Sequence, residues 1–201
     1  MNQPQLVPQP VSAVHGELAA FRIVSLAELL QLIPEVHEDA TEARNLREAL
    51  AALRTHGVGK AMDKPAGSTM EVRPEVVEQI MDSIESSPMP ELEWSPLTTL
   101  LGEELLSGLT GISETSVRRY RNAERTTPDA VAARLHFTAL VVADLLGSYN
   151  VFGVRRWFAR PRAQLHGRTP LMMLGSGWTP EDQDAMAVRE LAAALLAPLS
   201  S

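Results

Sequence analysis

The chain contains no cysteine. That excludes a disulfide framework and any thiolate metal site, and it fits a cytoplasmic location. Aromatic residues make up only 4% of a sequence that is 45% hydrophobic, so alanine and leucine supply most of the apolar surface. Such a composition favours helices over strands. No run of about eighteen uninterrupted apolar residues occurs, so no membrane span is expected. The opening MNQPQLVPQP has no basic stretch followed by an apolar core and does not read as a secretory signal.

Catalytic patterns are also scarce. The five histidines, His15, His37, His56, His136 and His166, stand at no metal-ligand spacing from one another, and they read as surface or packing residues. Gly57-Val58-Gly59-Lys60 falls short of a phosphate loop, because Arg54 stands where the first glycine belongs and Ala61 replaces the Ser or Thr that would hold magnesium. Gly175-Ser176-Gly177 is a small turn without the framing of a nucleophile elbow. Glu103 and Glu104 are adjacent and do not converge on one helix face. The expectation is a protein that is not an enzyme and that uses no cofactor and no metal.

The net charge of −7 is distributed unevenly. Residues 1–94 carry seven basic and fifteen acidic side chains, and residues 171–201 one basic and four acidic. Between them, residues 95–170 carry ten arginines, no lysine and six acids, a balance of +4. A local basic segment is what phosphate binding requires, whatever the total; an ordinary solvated Arg/Glu surface is the plainer reading.

Periodicity divides the chain into helical segments. Residues 1–16, rich in Pro and Gln, read as a disordered tail. A helical region of unassigned role is expected over 17–86. In it Ser25 would cap a short helix, Ala43, Leu46, Leu50 and Leu53 would line an amphipathic one stopped by Gly57, and Pro74 would start a third through Val76, Val77, Ile80, Met81 and Ile84. The prolines of residues 87–96 mark a linker. Residues 97–127 form a candidate helix-turn-helix, and 128–201 a helical C-terminal module. Its long first helix would place Val131, Leu135, Thr138, Val142 and Leu145 on one stripe; a second would end before Pro161. Thr169-Pro170 and Thr179-Pro180 read as helix starts.

A helix-turn-helix needs a small residue in its first helix, a glycine in the turn and buried apolar residues at set offsets in the second. Ser107, Gly111, and Ile112 with Val117 and Tyr120 meet those requirements, and Ser113 can cap the second helix. Thr110 stands where an apolar residue is usual, and Gly108 weakens the first helix. With Val117 and Tyr120 inward, Glu114, Thr115, Ser116, Arg118, Arg119, Arg121 and Asn122 are the candidate DNA-binding residues. Arg and Asn suit bidentate contacts with guanine and adenine edges, and Thr115 and Ser116 suit phosphate oxygens near a helix N-terminus. Such a unit works as a dimer on a two-fold site, so a homodimer is expected. The plainer alternative is an αα-hairpin with a solvated arginine face.

Residues 149–174 concentrate the remaining signal: Trp157, Phe158, Pro161, Leu165, Gly167, Arg168, Thr169, Pro170 and Leu174 follow the pattern W-[FL]-x-x-P-x-x-x-L-x-G-R-T-P-x-x-x-L. With the helix-turn-helix spacing upstream, this resembles the Xre/MbcA/ParS-type antitoxins, over about residues 95–197. The resemblance implies an all-α protein that neutralises a cognate protein toxin, commonly a NAD-consuming RES-domain toxin, by direct binding. It also implies autoregulation of transcription through operator DNA, with the terminal segment obstructing the toxin's active site. Phe158, Arg160, Arg162, Leu165, Arg168, Leu191 and Leu195 are then the candidate toxin-binding residues. The motif residues themselves are more readily explained as fold-defining, Trp157 above all. A protein-interaction adaptor with a degenerate helix-turn-helix and a stand-alone DNA-binding regulator stay open as alternatives.

Overall fold

A computed structural model describes residues 11–34, 42–57 and 73–196. Among them are ten α-helices and no strand. In chain order these are α1 (Val11–Leu29), α2 (Glu42–Thr55), α3 (Pro74–Glu85), α4 (Pro90–Leu101), α5 (Glu103–Thr110), α6 (Glu114–Arg121), α7 (Asp129–Leu146), α8 (Val151–Ala159), α9 (Pro170–Met173) and α10 (Gln183–Ala193). The all-α expectation holds.

The organising element is α7. From Val131 to Leu145 it is buried on nearly every side, not only along the expected stripe. A helix apolar around its whole circumference must be surrounded, and α1, α3, α4, α5, α8 and α10 all pack against it. One continuous apolar core results, running from Ile23 and Leu26 on α1 through Leu135 and Val142 on α7 to Trp157 and Phe158 on α8.

Several expectations are corrected here. Helix α1 begins at Val11 and runs unbroken through Ser25, which is buried inside it and caps nothing. The tail expected over residues 1–16 therefore ends too late; residues 1–10 lie outside the described chain. Residues 58–72 lie outside it too. On α2 the core face is Leu46, Leu50 and Leu53, joined by Asn45 and Ala49, while Ala43 is exposed. The connection expected over residues 87–96 is shorter: only 87–89 lie outside helix. Prolines 90 and 96 belong to α4, the first at its opening turn, where a missing N–H is tolerated, and the second within it. Trp94, Pro96 and Leu97 are buried against the core. Gly102, at φ 84°, separates α4 from α5. At the C-terminal end, α10 starts at Gln183 and not at Pro180; Asp182 stands at its N-cap position, and its carboxylate accepts from the Thr179 N–H at 2.8 Å.

Two buried polar clusters tie distant helices together. Asp144 on α7 accepts from Arg22 of α1 (3.1 and 3.2 Å) and from Arg189 of α10 (2.8 Å). Arg189 also reaches Glu85 on α3 at 2.9 Å. Deeper in the core, Glu93 on α4 bonds His136 Nδ1 on α7, and His136 Nε2 donates to the Ile84 carbonyl at the end of α3 at 2.9 Å. Burial raises the carboxyl pKa of both Glu93 and Asp144 above the ordinary range, against the opposing pull of His136 on Glu93 and of Arg189 and Arg22 on Asp144. The N-terminal helices are thus packed and bonded to α7 and α10.

Candidate nucleic-acid interface

The unit α5–turn–α6 is pivoted on a glycine in the left-handed region. Gly111 sits at φ 70°, ψ 30°, and the Ile112 N–H closes back onto the Ser107 carbonyl at 3.1 Å. A Cβ on residue 111 would also lie 3.2 Å from an Arg134 guanidinium nitrogen. This is the glycine-terminated helix end that the sequence signalled. Ser113 then caps α6, accepting from the Ser116 N–H at 3.2 Å.

Packing fixes which face of α6 turns outward. Val117 is fully buried, and Tyr120 stacks on Trp94 with ring centroids 5.6 Å apart. Trp94 is itself held by a 2.9 Å hydrogen bond from Nε1 to Thr127 Oγ1. Thr110, the polar residue at an apolar position, is buried without cost to hydrogen bonding because its hydroxyl donates to the Leu106 carbonyl at 2.7 Å. Gly108, which weakens α5 intrinsically, lies against α9: a Cβ there would stand 3.2 Å from Leu171 Cδ1. The turn is braced from the far end of the chain. Trp178 is buried edge-on against Phe137 and donates Nε1–H to the Leu109 carbonyl at 2.8 Å, satisfying one of the last carbonyls of α5. Nothing in the Gly175-Ser176-Gly177 spacing pointed to that role for its neighbour.

Of the seven expected DNA-binding residues, Glu114, Thr115, Arg118, Arg119 and Arg121 are exposed along α6. Ser116 is half-buried, with its hydroxyl 3.0 Å from Ser113 Oγ beside the cap. Asn122, also exposed, closes α6, and its amide donates to Glu124 at 3.1 Å; it stands at the end of the helix away from the capped turn. The arginines are not equivalent. Glu103 on α5 holds Arg118 at 3.1 Å and Arg121 at 3.4 Å, whereas Arg119 has no ion-pair partner among the described residues. Arg125, exposed just beyond α6, was missed although it continues the same basic run.

The C-terminal candidates separate more sharply. Phe158 and Leu165 are core residues: Phe158 is fully buried and packs edge-on against Trp157 at 5.2 Å, and Leu165 is nearly as buried. Neither has surface to offer a partner. The spacing Val154, Trp157, Phe158 accounts for this, since those positions share one helical face and that face meets the core. Arg162 places its guanidinium 5.3 Å from the Trp157 ring centroid, and its backbone anchors the turn to Gly167 and Arg168. Arg168 forms a two-point pair with Asp184 of α10, at 2.8 and 3.1 Å. Thr169 caps α9 by accepting from the Met172 N–H. Leu191 is half-buried against the core, and α10 buries Ala185, Val188 and Ala192, so this helix is built into the fold. Arg160 and Leu195 are exposed.

The surface of the module lies elsewhere. Phe152 on α8 is 70% exposed, and Val151, Met172 and Met186 are also open to solvent. Phe152, Arg156 and Arg160, four residues apart along α8 and its C-cap, form one exposed stripe. The signal for it was available: once Trp157 and Phe158 face inward, residues 152 and 156 must face outward. Among the described residues no group of His, Cys, Asp and Glu is placed to hold a metal, and no helix is long and apolar enough to cross a membrane.

No family model matches this chain, and neither a curated protein nor a solved structure matches it significantly.

Proposed function

We propose that this is a cytoplasmic, non-catalytic antitoxin that binds operator DNA through α6 as a homodimer and neutralises a cognate toxin, of the RES type, through its C-terminal module. One observation carries the DNA-binding part. Burial of Val117 and the stacking of Tyr120 leave Arg118, Arg119 and Arg121 on the outer face of a helix held rigidly by a capped glycine turn. That is a compact basic surface at the end of a rigid scaffold, and arginine is the side chain best suited to guanine edges and phosphates. Replacing the three arginines with alanine is expected to abolish binding to a duplex taken from upstream of the gene and to leave the fold intact. The slope of log affinity against log salt flattens by about one unit for each phosphate that is no longer neutralised. Unchanged affinity with an unchanged slope ends this reading.

The toxin-binding part rests on the antitoxin-like motif, with its surface revised. We place the interface on Val151, Phe152, Arg156 and Arg160 in place of the buried Phe158 and Leu165. Exposed aromatic and arginine side chains are the types that anchor protein interfaces. Co-expression with the toxin gene is the direct test: Phe152→Ala/Arg156→Ala is expected to release the toxin without lowering the antitoxin's thermal midpoint. The same exposed stripe favours the adaptor as the second reading, which retains partner binding but shows no salt-dependent DNA retention.

A further inference from the structure

Glu103 is the first residue of α5 and lies outside the helix that carries the basic face. Its two carboxylate oxygens are divided between two arginines of that face: Oε2 is 3.1 Å from Arg118 Nε, and Oε1 is 3.4 Å from Arg121 Nη1. Arg118 and Arg121 are three residues apart on α6 and so lie side by side. Two guanidinium groups sharing one two-oxygen anion is also how arginines hold a backbone phosphate. We propose that Glu103 is an intramolecular stand-in for a DNA phosphate. It occupies Arg118 and Arg121 in the free protein, is displaced when a duplex docks, and thereby weakens the hold of α6 on DNA of any sequence. The proposal rests on the DNA-binding reading and adds to it a residue that governs discrimination.

The physical argument is one of competition. All three side chains are partly open to solvent, so the pairs are weak enough to exchange for a polyanion. They still tax every encounter equally. A register that offers only phosphates must displace the carboxylate with phosphate binding alone, whereas a register that also offers base edges to Arg119 has additional binding to set against the same cost. Arg119, outside the clamp, is free to sample bases from the first encounter. Glu104 supplies the control: it carries the same charge one position along and has no ion pair among the described residues.

The test titrates the full chain against a fluorescent mixed-sequence DNA duplex over a range of salt concentrations. Glu103→Gln is expected to tighten binding by about three- to ten-fold near physiological salt and to steepen the salt slope by about one unit, as an added net positive charge at the phosphates does. Glu104→Gln is expected to change affinity less than about two-fold. In an Arg118→Ala/Arg121→Ala background the Glu103→Gln effect is expected to vanish, and circular dichroism is expected to find thermal midpoints within about 4 °C of wild type. Equal effects of Glu103→Gln and Glu104→Gln, or a Glu103→Gln effect that survives loss of both arginines, would reduce Glu103 to an ordinary surface charge and overturn the clamp. The DNA-binding reading would stand in that case, because wild-type binding would remain salt- and arginine-dependent. A wild-type chain that does not bind the duplex at all removes both.

Discussion

Asp144 and Glu103 are each gripped by two arginines, and the two grips have opposite consequences. Asp144 is 1% exposed and bridges α1, α7 and α10 through Arg22 and Arg189. Glu103 is 27% exposed and bridges α5 and α6 through Arg118 and Arg121. Each carboxylate holds two arginines, with Glu85 as a further partner beside Asp144; the solvent around the two differs. Around Asp144, water cannot replace a lost partner, so the cluster locks helices in place. Around Glu103, water or another anion can replace either partner, so the cluster is exchangeable. Burial, more than the identity of the charges, separates a structural ion cluster from one available to a ligand.

The sharpest way to break that comparison is to remove each carboxylate. Asp144→Ala leaves two largely buried guanidinium groups with only the more exposed Glu85 as a partner and is expected to destabilise the protein by about 3 kcal/mol in denaturant unfolding. Replacing Asp144, Arg22 and Arg189 together by apolar residues of similar size is expected to recover most of that loss, because a buried ion cluster contributes little beyond satisfying itself. A single-site loss below about 1 kcal/mol would mean that water reaches the cluster and that the contrast with Glu103 does not hold.

Trp178→Phe asks whether the module and the α5–α6 unit are mechanically joined. The substitution keeps the ring packed near Phe137 but leaves the Leu109 carbonyl without its donor, at an expected cost of about 1–3 kcal/mol. Hydrogen exchange at the Gly111 turn is expected to rise by more than at α2, which is remote from the site; uniform acceleration would indicate a global effect only.

The buried pair Glu93–His136 gives a pH signature that neither arginine cluster shares in full. Desolvation raises the Glu93 carboxyl above its unfolded value, so the folded state keeps its proton longer. The stability this contributes is fully present below the unfolded glutamate pKa of about 4.3 and is lost as pH rises through the higher folded value. Over that window stability is expected to fall with pH at up to about 1.4 kcal/mol per unit for this one group. Glu93→Gln is expected to flatten the slope of thermal midpoint against pH; an unchanged slope would place the titration elsewhere, with Asp144, raised by burial in the same direction, as the group to replace next.

Much of this was legible from residue spacing. The glycine turn at Gly111, the Ser113 cap and the inward Val117 followed from local chemistry, which depends on few residues. So did the start of α3 at Pro74. What was missed depended on packing between residues far apart in sequence. Pro88, Pro90 and Pro96 looked like a linker because proline usually interrupts structure; Pro90 instead opens α4 and Pro96 is buried within it, beside Trp94 and Leu97. Ser25 looked like a cap because serine often is one; in a helix packed against α2, α3 and α7 it is simply buried. Trp178 and Glu103 could not be assigned, since their partners lie 69 residues away for Trp178 and, for Glu103, across a turn whose geometry had to be known first. At the candidate site, identifying the basic helix was possible from its composition, but learning which of its arginines are occupied was not.

The smallest expected effect is the other half of the opening contrast. Glu103→Ala removes a partly exposed carboxylate and frees two arginines into water, where they are readily solvated. It also removes an acid from the first turn of α5, where the helix dipole favours one, at about 0.3–1 kcal/mol. The exposed pairs themselves contribute about 0–1 kcal/mol. The net change in stability is therefore expected to stay near 1 kcal/mol or below, and to shrink as salt is raised from about 0.05 M to 0.5 M, since screening weakens both effects. Asp144→Ala should keep most of its much larger cost over the same range, because its partners are screened by protein and not by salt. Denaturant unfolding of both variants at the two salt concentrations reads this directly. A Glu103→Ala loss as large and as salt-insensitive as that of Asp144→Ala would make the surface cluster structural, leaving Arg118 and Arg121 committed to the fold and unavailable to an incoming phosphate.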